Sequence, residues 1–300
     1  MKVGFIGVGH MGGPMCKNII RGGHDVTVYD LDQDAIAACT ELGAAQGTSA
    51  SDVAAQVEVV MTSLPMPRDV EAVALGPNGI AEGAKPGTIY VDLSTNSPAV
   101  VRRIAADLAT RDITMIDAPV SGGVVGAEKG TIAIMVGGDK AAYETCMPVF
   151  ESFGENISHL GDLGCGCIAK IVNNMIAFCN MAAGAEGLML GTAAGIDPEA
   201  LNQVIRNSSG NSMSYRGMAR KTLDGDWSPS FTVDLAYKDL HLALELGDEL
   251  GVPLSLGVQT HNLMRMARGM GFGGDDATAI MRVYETTLNR EVRKAELRNK

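Results

Sequence analysis

The chain is poor in aromatics, has no excess of positive charge, and offers no unbroken apolar run of bilayer length. Aromatic residues are 4% of its 300 residues, with a single Trp, so the core must be built from aliphatic and small side chains. Lys and Arg number 24 against 35 Asp and Glu, a net charge of −11. That deficit argues against a nucleic-acid partner, which needs a basic footprint. Glycine or charge breaks the apolar stretches within about a dozen residues, short of the ~20 needed for a membrane span, so no membrane partner is expected. The six cysteines, at 16, 39, 146, 165, 167 and 179, are scattered. They lack the density of a disulfide scaffold and read as reduced thiols. The N-terminal stretch, glycine-broken and followed by Asp25 and Asp30, fits a secretory leader poorly. A cytoplasmic protein is expected.

What the chain has is glycine, 37 residues, in a composition that is 46% apolar and 20% charged, which suits a globular fold. In the first half, strands read at Val3–Gly7, Asp25–Asp30, Val57–Thr62, Ile89–Asp92, Thr114–Asp117 and Ile132–Val136. Helices read at Met11–Arg21 and Asp34–Leu42, and around 68–75, 98–111 and 140–153. Strands alternating with helices imply βαβ crossovers and a largely parallel sheet. From Ile168 to Ala194 runs an apolar helix rich in small residues, expected to be buried between domains or subunits. Helical spacing continues through Pro198–Asn207, Ser212–Asp224, Val233–Leu250, Leu254–Gly269 and Asp276–Lys300. The charges Arg290, Glu291, Arg293, Lys294 and Glu296 read as the solvated end of the last helix. The expected architecture is an α/β dinucleotide-binding domain over 1–161 and an all-α domain over 162–300, joined by the long helix.

Gly7-Val8-Gly9-His10-Met11-Gly12 follows the first strand and opens a helix. In such a loop the first glycine makes the turn and the second admits a pyrophosphate. The third lets helix and strand pack closely, at a helix N-terminus with positive potential. Asp30 ends the second strand 18 residues after Gly12, placed to accept from ribose hydroxyls and to repel a 2′-phosphate, which points to NAD. His10 reads as a flank of the loop, since the loop acts through its backbone. Ala118-Pro119-Val120-Ser121-Gly122-Gly123 offers amides and a hydroxyl to a carboxylate, and fits an ordinary turn equally well. Lys170 stands on the long apolar helix, with Asn174 one turn further on the same face. A lysine in such surroundings suits general acid–base work; a snorkelling lysine at a domain edge is the alternative. Cys165-x-Cys167, with no His pair nearby, does not read as a metal site, and none is expected.

Together the glycine loop, Asp117-Ala-Pro-Val-Ser-Gly-Gly123, the Gly164-x-Gly166-x-x-x-Lys170-x-x-x-Asn174 helix and Lys238-Asp239-Leu240 resemble the β-hydroxyacid dehydrogenase family. That is the group of 3-hydroxyisobutyrate dehydrogenase, 2-(hydroxymethyl)glutarate dehydrogenase and tartronate semialdehyde reductase. The resemblance covers essentially the whole chain. It implies a Rossmann domain followed by an all-α domain, and a homodimer or homotetramer. It implies Lys170 as catalytic acid/base, Asn174 orienting the substrate, and Ser121, Gly122 and Gly123 holding its carboxylate. Gly7, Gly9, His10, Met11, Gly12, Asp30, Leu64, Pro65, Thr95 and Lys238 would line NAD. The implied activity interconverts a small β-hydroxy carboxylate and its semialdehyde. An imine-reducing relative on the same scaffold and a non-catalytic NAD-binding protein are the alternatives.

Overall fold

The computed structural model describes residues 1–297. Short β-branched and apolar runs form β1 (Lys2–Ile6), β2 (Asp25–Tyr29), β3 (Ala45–Gln46), β4 (Val59–Thr62), β5 (Ile89–Asp92) and β6 (Thr114–Asp117). They pair in parallel, in the order β3-β2-β1-β4-β5-β6. Between them run α1 (Gly12–Arg21), α2 (Gln33–Thr40), α3 (Ala50–Gln56), α4 (Pro67–Leu75), α5 (Ile80–Gly83) and α6 (Pro98–Ala109). Successive strand residues point to opposite faces, so the sheet feeds two cores. Phe5 and Met61 pack with Met15, Ile19 and Ile36, while Ile6 and Val60 pack with Val53, Val70 and Ile104.

Ile132–Val136 does not extend this sheet. It is β8 of a separate three-stranded sheet, antiparallel to β7 (Val120–Ser121) and parallel to β9 (Gly154–His159). Helices α7 (Gly123–Lys129) and α8 (Lys140–Phe150) connect these strands.

The remaining elements are helical. They are α9 (Cys165–Ala193), α10 (Pro198–Arg206), α11 (Met213–Asp224), α12 (Val233–Leu250), α13 (Ser255–Gly269), a 3₁₀ turn at Ala277–Ile280 and α14 (Met281–Leu288). Hydroxyl and carboxylate caps start several of them: Asp197, Ser212 and Thr232 each accept first-turn N–H groups, which would otherwise lack partners. Their core gathers Phe178, Ala185, Leu188, Tyr215, Met218, Leu240, Met264 and Met281. Contacts divide the chain into two compact units, Met1–Lys170 and the residues from Ile171 onward, so the division falls inside α9.

Two expectations change. Among the described residues α9 is the one helix long and apolar enough to span a bilayer by length and composition. Core helices of soluble proteins share that property, and Phe178, Ala182, Ala185, Leu188 and Met189 of α9 are buried in the helical core. Within its own chain the helix is not covered all round, because Val172, Ile176 and Leu190 are exposed. The C-terminal charges are not a solvated helix end either. Helix α14 stops at Leu288, with Asn289 in the left-handed conformation. Arg293 beyond it is buried against Glu285 and lies over the Trp227 ring, while Lys294 pairs with Asp224 at 3.0 Å. Buried charge requires a partner, and these pairings tie the chain end down. The last three residues of the expected helix lie outside the described residues.

Candidate active site

Strand β1 delivers the glycine loop to the carboxyl edge of the sheet, where the strand order reverses between β1 and β4. Ligands of open α/β sheets bind at such a switch point. Gly7 adopts φ +88°, and a Cβ there would lie 2.4 Å from the Ser63 carbonyl. At Gly12 a Cβ would lie 1.8 Å from the Gly7 carbonyl, so α1 can meet the loop only with glycine at that position. Gly13, which the motif did not single out, is similarly confined, 2.7 Å from the Val8 carbonyl. Gly9 differs: it is exposed, and a Cβ there would meet nothing within 4 Å. The loop is therefore rigid beneath and open above.

Met11 is half-buried at the N-cap position of α1, and no side chain caps that helix. His10 beside it is exposed. Asp30 accepts the Val8 N–H at 2.7 Å and the Asp32 N–H at 2.9 Å, one on each carboxylate oxygen. Each oxygen keeps a further lone pair for a ribose hydroxyl. The uncapped helix N-terminus, the open Gly9 and the anchored Asp30 fit a nicotinamide dinucleotide.

The ends of β4 and β5 are tied from below. Leu64 N–H donates to Ser94 Oγ at 2.9 Å, and Ser94 N–H donates to Asp92 Oδ1 at 3.0 Å. Thr62 and Asn96 also donate to the Asp92 carboxylate, each at 3.0 Å. Asp92 is wholly buried. Burial pushes its carboxyl above the usual carboxylate range, and these donors pull in the opposite direction. Above this network Leu64 and Thr95 are half-buried and Pro65 is exposed.

Beyond β6 the chain turns through β7 to the glycine pair. Ser121 is half-buried; Gly122 (φ +144°) and Gly123 (φ +64°) are exposed. A Cβ on Gly122 would lie 2.9 Å from Ile132 Cγ2, so that position is closed to other side chains. At the base of the turn Asp117 is buried and accepts the N–H groups of Gly164, at 2.7 Å, and Cys167, at 2.6 Å. Burial holds the Cys167 thiol well above its usual range, and the Asp117 and Asp92 carboxylates add to the effect. A thiol kept protonated in this way is a poor metal ligand.

Helix α9 carries Lys170, half-buried, at the end of the first unit, and Asn174, buried, in the second. Within the second unit Asn174 Nδ2 donates to Asp239 Oδ2 at 2.6 Å. Lys238 Nζ stands 2.8 Å from Asp239 Oδ1, off the hydrogen-bonding directions, so the contact is an ion pair. Asp239 thus holds Asn174 and Lys238 together. Sequence reasoning gave it no role, although it stands beside Lys238 in the Lys-Asp-Leu segment.

Comparison with known proteins shows the family and agrees with the fold. Residues 2–161 match the model of the NAD binding domain of 6-phosphogluconate dehydrogenase. Residues 164–284 match that described as NAD-binding of NADP-dependent 3-hydroxyisobutyrate dehydrogenase. The chain belongs to the β-hydroxyacid dehydrogenase family. It is 41% identical over 286 residues to the 2-(hydroxymethyl)glutarate dehydrogenase of Eubacterium barkeri, covering 95% of each chain. A 3-hydroxyisobutyrate dehydrogenase structure from Salmonella typhimurium superposes with a TM-score of 0.87 at 31% identity, covering 94% of this chain and 99% of that one. The Mycobacterium tuberculosis 3-hydroxyisobutyrate dehydrogenase with L-serine gives 0.86 at 30% identity, covering 94% and 98%. As a β-hydroxyacid dehydrogenase the chain is a nicotinamide-dependent oxidoreductase with a Rossmann domain followed by helices.

Proposed function

We propose that this enzyme uses NAD to interconvert a small β-hydroxy carboxylate bearing a primary alcohol and the corresponding semialdehyde, with Lys170 handling the proton. The observation that carries the reading is the placement of Lys170. It stands in the second turn of α9, whose entry is hydrogen-bonded to Asp117 at the base of the Ser121-Gly122-Gly123 turn. The bound cofactor supplies the hydride acceptor. In oxidation, neutral Lys170 takes the hydroxyl proton from the substrate as the carbinol carbon becomes a carbonyl. In reduction it returns that proton to the developing alkoxide.

The Ser121 hydroxyl and the amides of Gly122 and Gly123 receive the carboxylate. Asn174 and Lys238, both held by Asp239, are read as the substrate-orienting and cofactor-lining residues that the family resemblance implies. Asp30 leaves no room for a 2′-phosphate without charge repulsion, which supports NAD over NADP. A panel of 2-(hydroxymethyl)glutarate, 3-hydroxyisobutyrate and L-serine, assayed with each cofactor, tests the reading. At least one acid should turn over with a higher kcat/KM for NAD than for NADP, and its neutral ester should react poorly. Equal rates for ester and acid would remove the carboxylate assignment.

The exposed Val172, Ile176 and Leu190 stand on one face of α9 and support assembly with further copies of this chain, since exposed apolar side chains favour burial. Sedimentation at micromolar concentration should show a dimer or tetramer, and a monomer would contradict this.

A further inference from the structure

The residue preceding helix α9 is Gly164, which has no side chain to cap it, yet the first amides there are not left to solvent. Gly164 N–H donates to Asp117 Oδ1 and Cys167 N–H to Oδ2, across 47 and 50 residues of chain. The first N–H groups of a helix have no intrahelical acceptor, and a carboxylate there also meets the positive end of the helix dipole. Asp117 is therefore a long-range cap, delivered by β6 rather than by the residues preceding the helix.

The seat around this cap is tight. A Cβ on Gly137 would lie 2.6 Å from Asp117 Oδ1 and 2.8 Å from the nitrogens of Cys165 and Gly166. One on Gly166 would lie 2.2 Å from the Met135 carbonyl. The Asp117 and Gly137 backbones exchange hydrogen bonds of 3.0 and 2.8 Å. On the outer side Arg102 Nε holds the Leu163 carbonyl at 3.0 Å. The entry of α9 is thus fixed to the ends of β6 and β8.

This seat joins the two parts that must share a substrate. Lys170 follows Cys167 by three residues, about 4.5 Å along the helix axis. Ser121 follows Asp117 by four residues, through a turn in which Pro119 sets one φ and β7 pairs with β8. We infer that Asp117 is a positioning residue for the reaction: through its carboxylate it sets the distance between the Lys170 amine and the Ser121-Gly122-Gly123 turn. The inference rests on the reading of Lys170 as the proton-handling group. It accounts for the pairing of two motifs that are far apart in the chain, since the carboxylate of one requires the glycines of the other. A displacement of about 1 Å at a reacting centre is worth on the order of 100-fold in rate.

Asp117→Asn keeps the shape but turns one oxygen into a donor facing a donor. The test compares this variant, Lys170→Ala and the double variant, using the acid of the panel that the enzyme turns over fastest. The readouts are the single-turnover rate of hydride transfer, NADH affinity by fluorescence and the thermal midpoint. We expect Asp117→Asn to lower hydride transfer roughly 10- to 100-fold, with NADH affinity unchanged within about threefold. The double variant should be no slower than Lys170→Ala alone, because Asp117 acts only through that lysine.

Losses that multiply in the double variant, or an Asp117→Asn rate within about threefold of the parent, would overturn the inference. If Lys170→Ala itself reacts at the parent rate, it is the functional reading that fails, and the single variants separate the two failures. Should Asp117→Asn not fold, Arg102→Ala loosens the same seat from the exposed surface. It should slow hydride transfer several-fold without adding to Lys170→Ala, and an unchanged rate there would overturn the inference.

Discussion

The two units hold their buried carboxylates in different ways. In the sheet unit Asp92 and Asp117 accept from neutral groups: hydroxyls, an amide side chain and backbone N–H groups at strand and helix ends. In the helical unit each buried carboxylate has a cation. Asp239 has Lys238, Asp276 has Lys221 and Glu285 has Arg293. The difference follows from where spare donors occur. The carboxyl edge of a parallel sheet is crowded with loop amides and helix N-termini whose N–H groups lack partners. Inside a helix those groups are already used, so mid-helix Asp239 finds only side chains, Asn174 and Lys238. Asp276 and Glu285, at helix ends, take both kinds of partner: Ser230 and Val292 donate backbone N–H groups to them at 2.9 Å.

The contrast is broken most severely at Glu285. Glu285→Ala removes the buried carboxylate of the Arg293 pair and leaves the exposed Glu291 carboxylate at 3.9 Å, which should cost about 3 kcal/mol, the lower end for breaking a buried pair. Urea denaturation would measure it, and a loss under about 1 kcal/mol would mean that the ion pair is not holding the chain end. A smaller cost is expected at Asp92. Asp92→Asn keeps one acceptor and sets one amide against a former donor, leaving it unsatisfied at about 1–3 kcal/mol. A loss exceeding that of Glu285→Ala would invert the comparison.

Local order in the sequence made some elements legible and long-range order hid others. Helix α12 runs from Val233 to Leu250, the bounds its apolar spacing implies, because Thr232 caps it and Gly251 ends it in a left-handed turn. The glycine loop was legible for the same reason: strand, turn and helix are contiguous. Helices α3, α5 and α7, of seven, four and seven residues, are too short to show a period. Strand β9 reads Gly-Glu-Asn-Ile-Ser-His, a polar segment made a strand by its pairing with β8. The charge run after Leu288 looked solvated because composition does not reveal that Arg293 meets Glu285. The organising roles of Asp117 and Asp239 are hidden in the sequence, since the N–H groups that Asp117 accepts and the Asn174 amide that Asp239 accepts stand 47 to 65 residues away.

The measurement that bears most directly on the enzyme is the single-turnover hydride-transfer rate of Lys170→Ala, read alongside NADH affinity. A positioned acid/base is typically worth about 10²–10⁴ in rate, and the pyrophosphate loop at Gly7–Gly12 belongs to a different element from α9. The rate should therefore fall by that factor while NADH binds as before. A variant that transfers hydride within about threefold of the parent rate would remove Lys170 from the chemistry and contradict the mechanism.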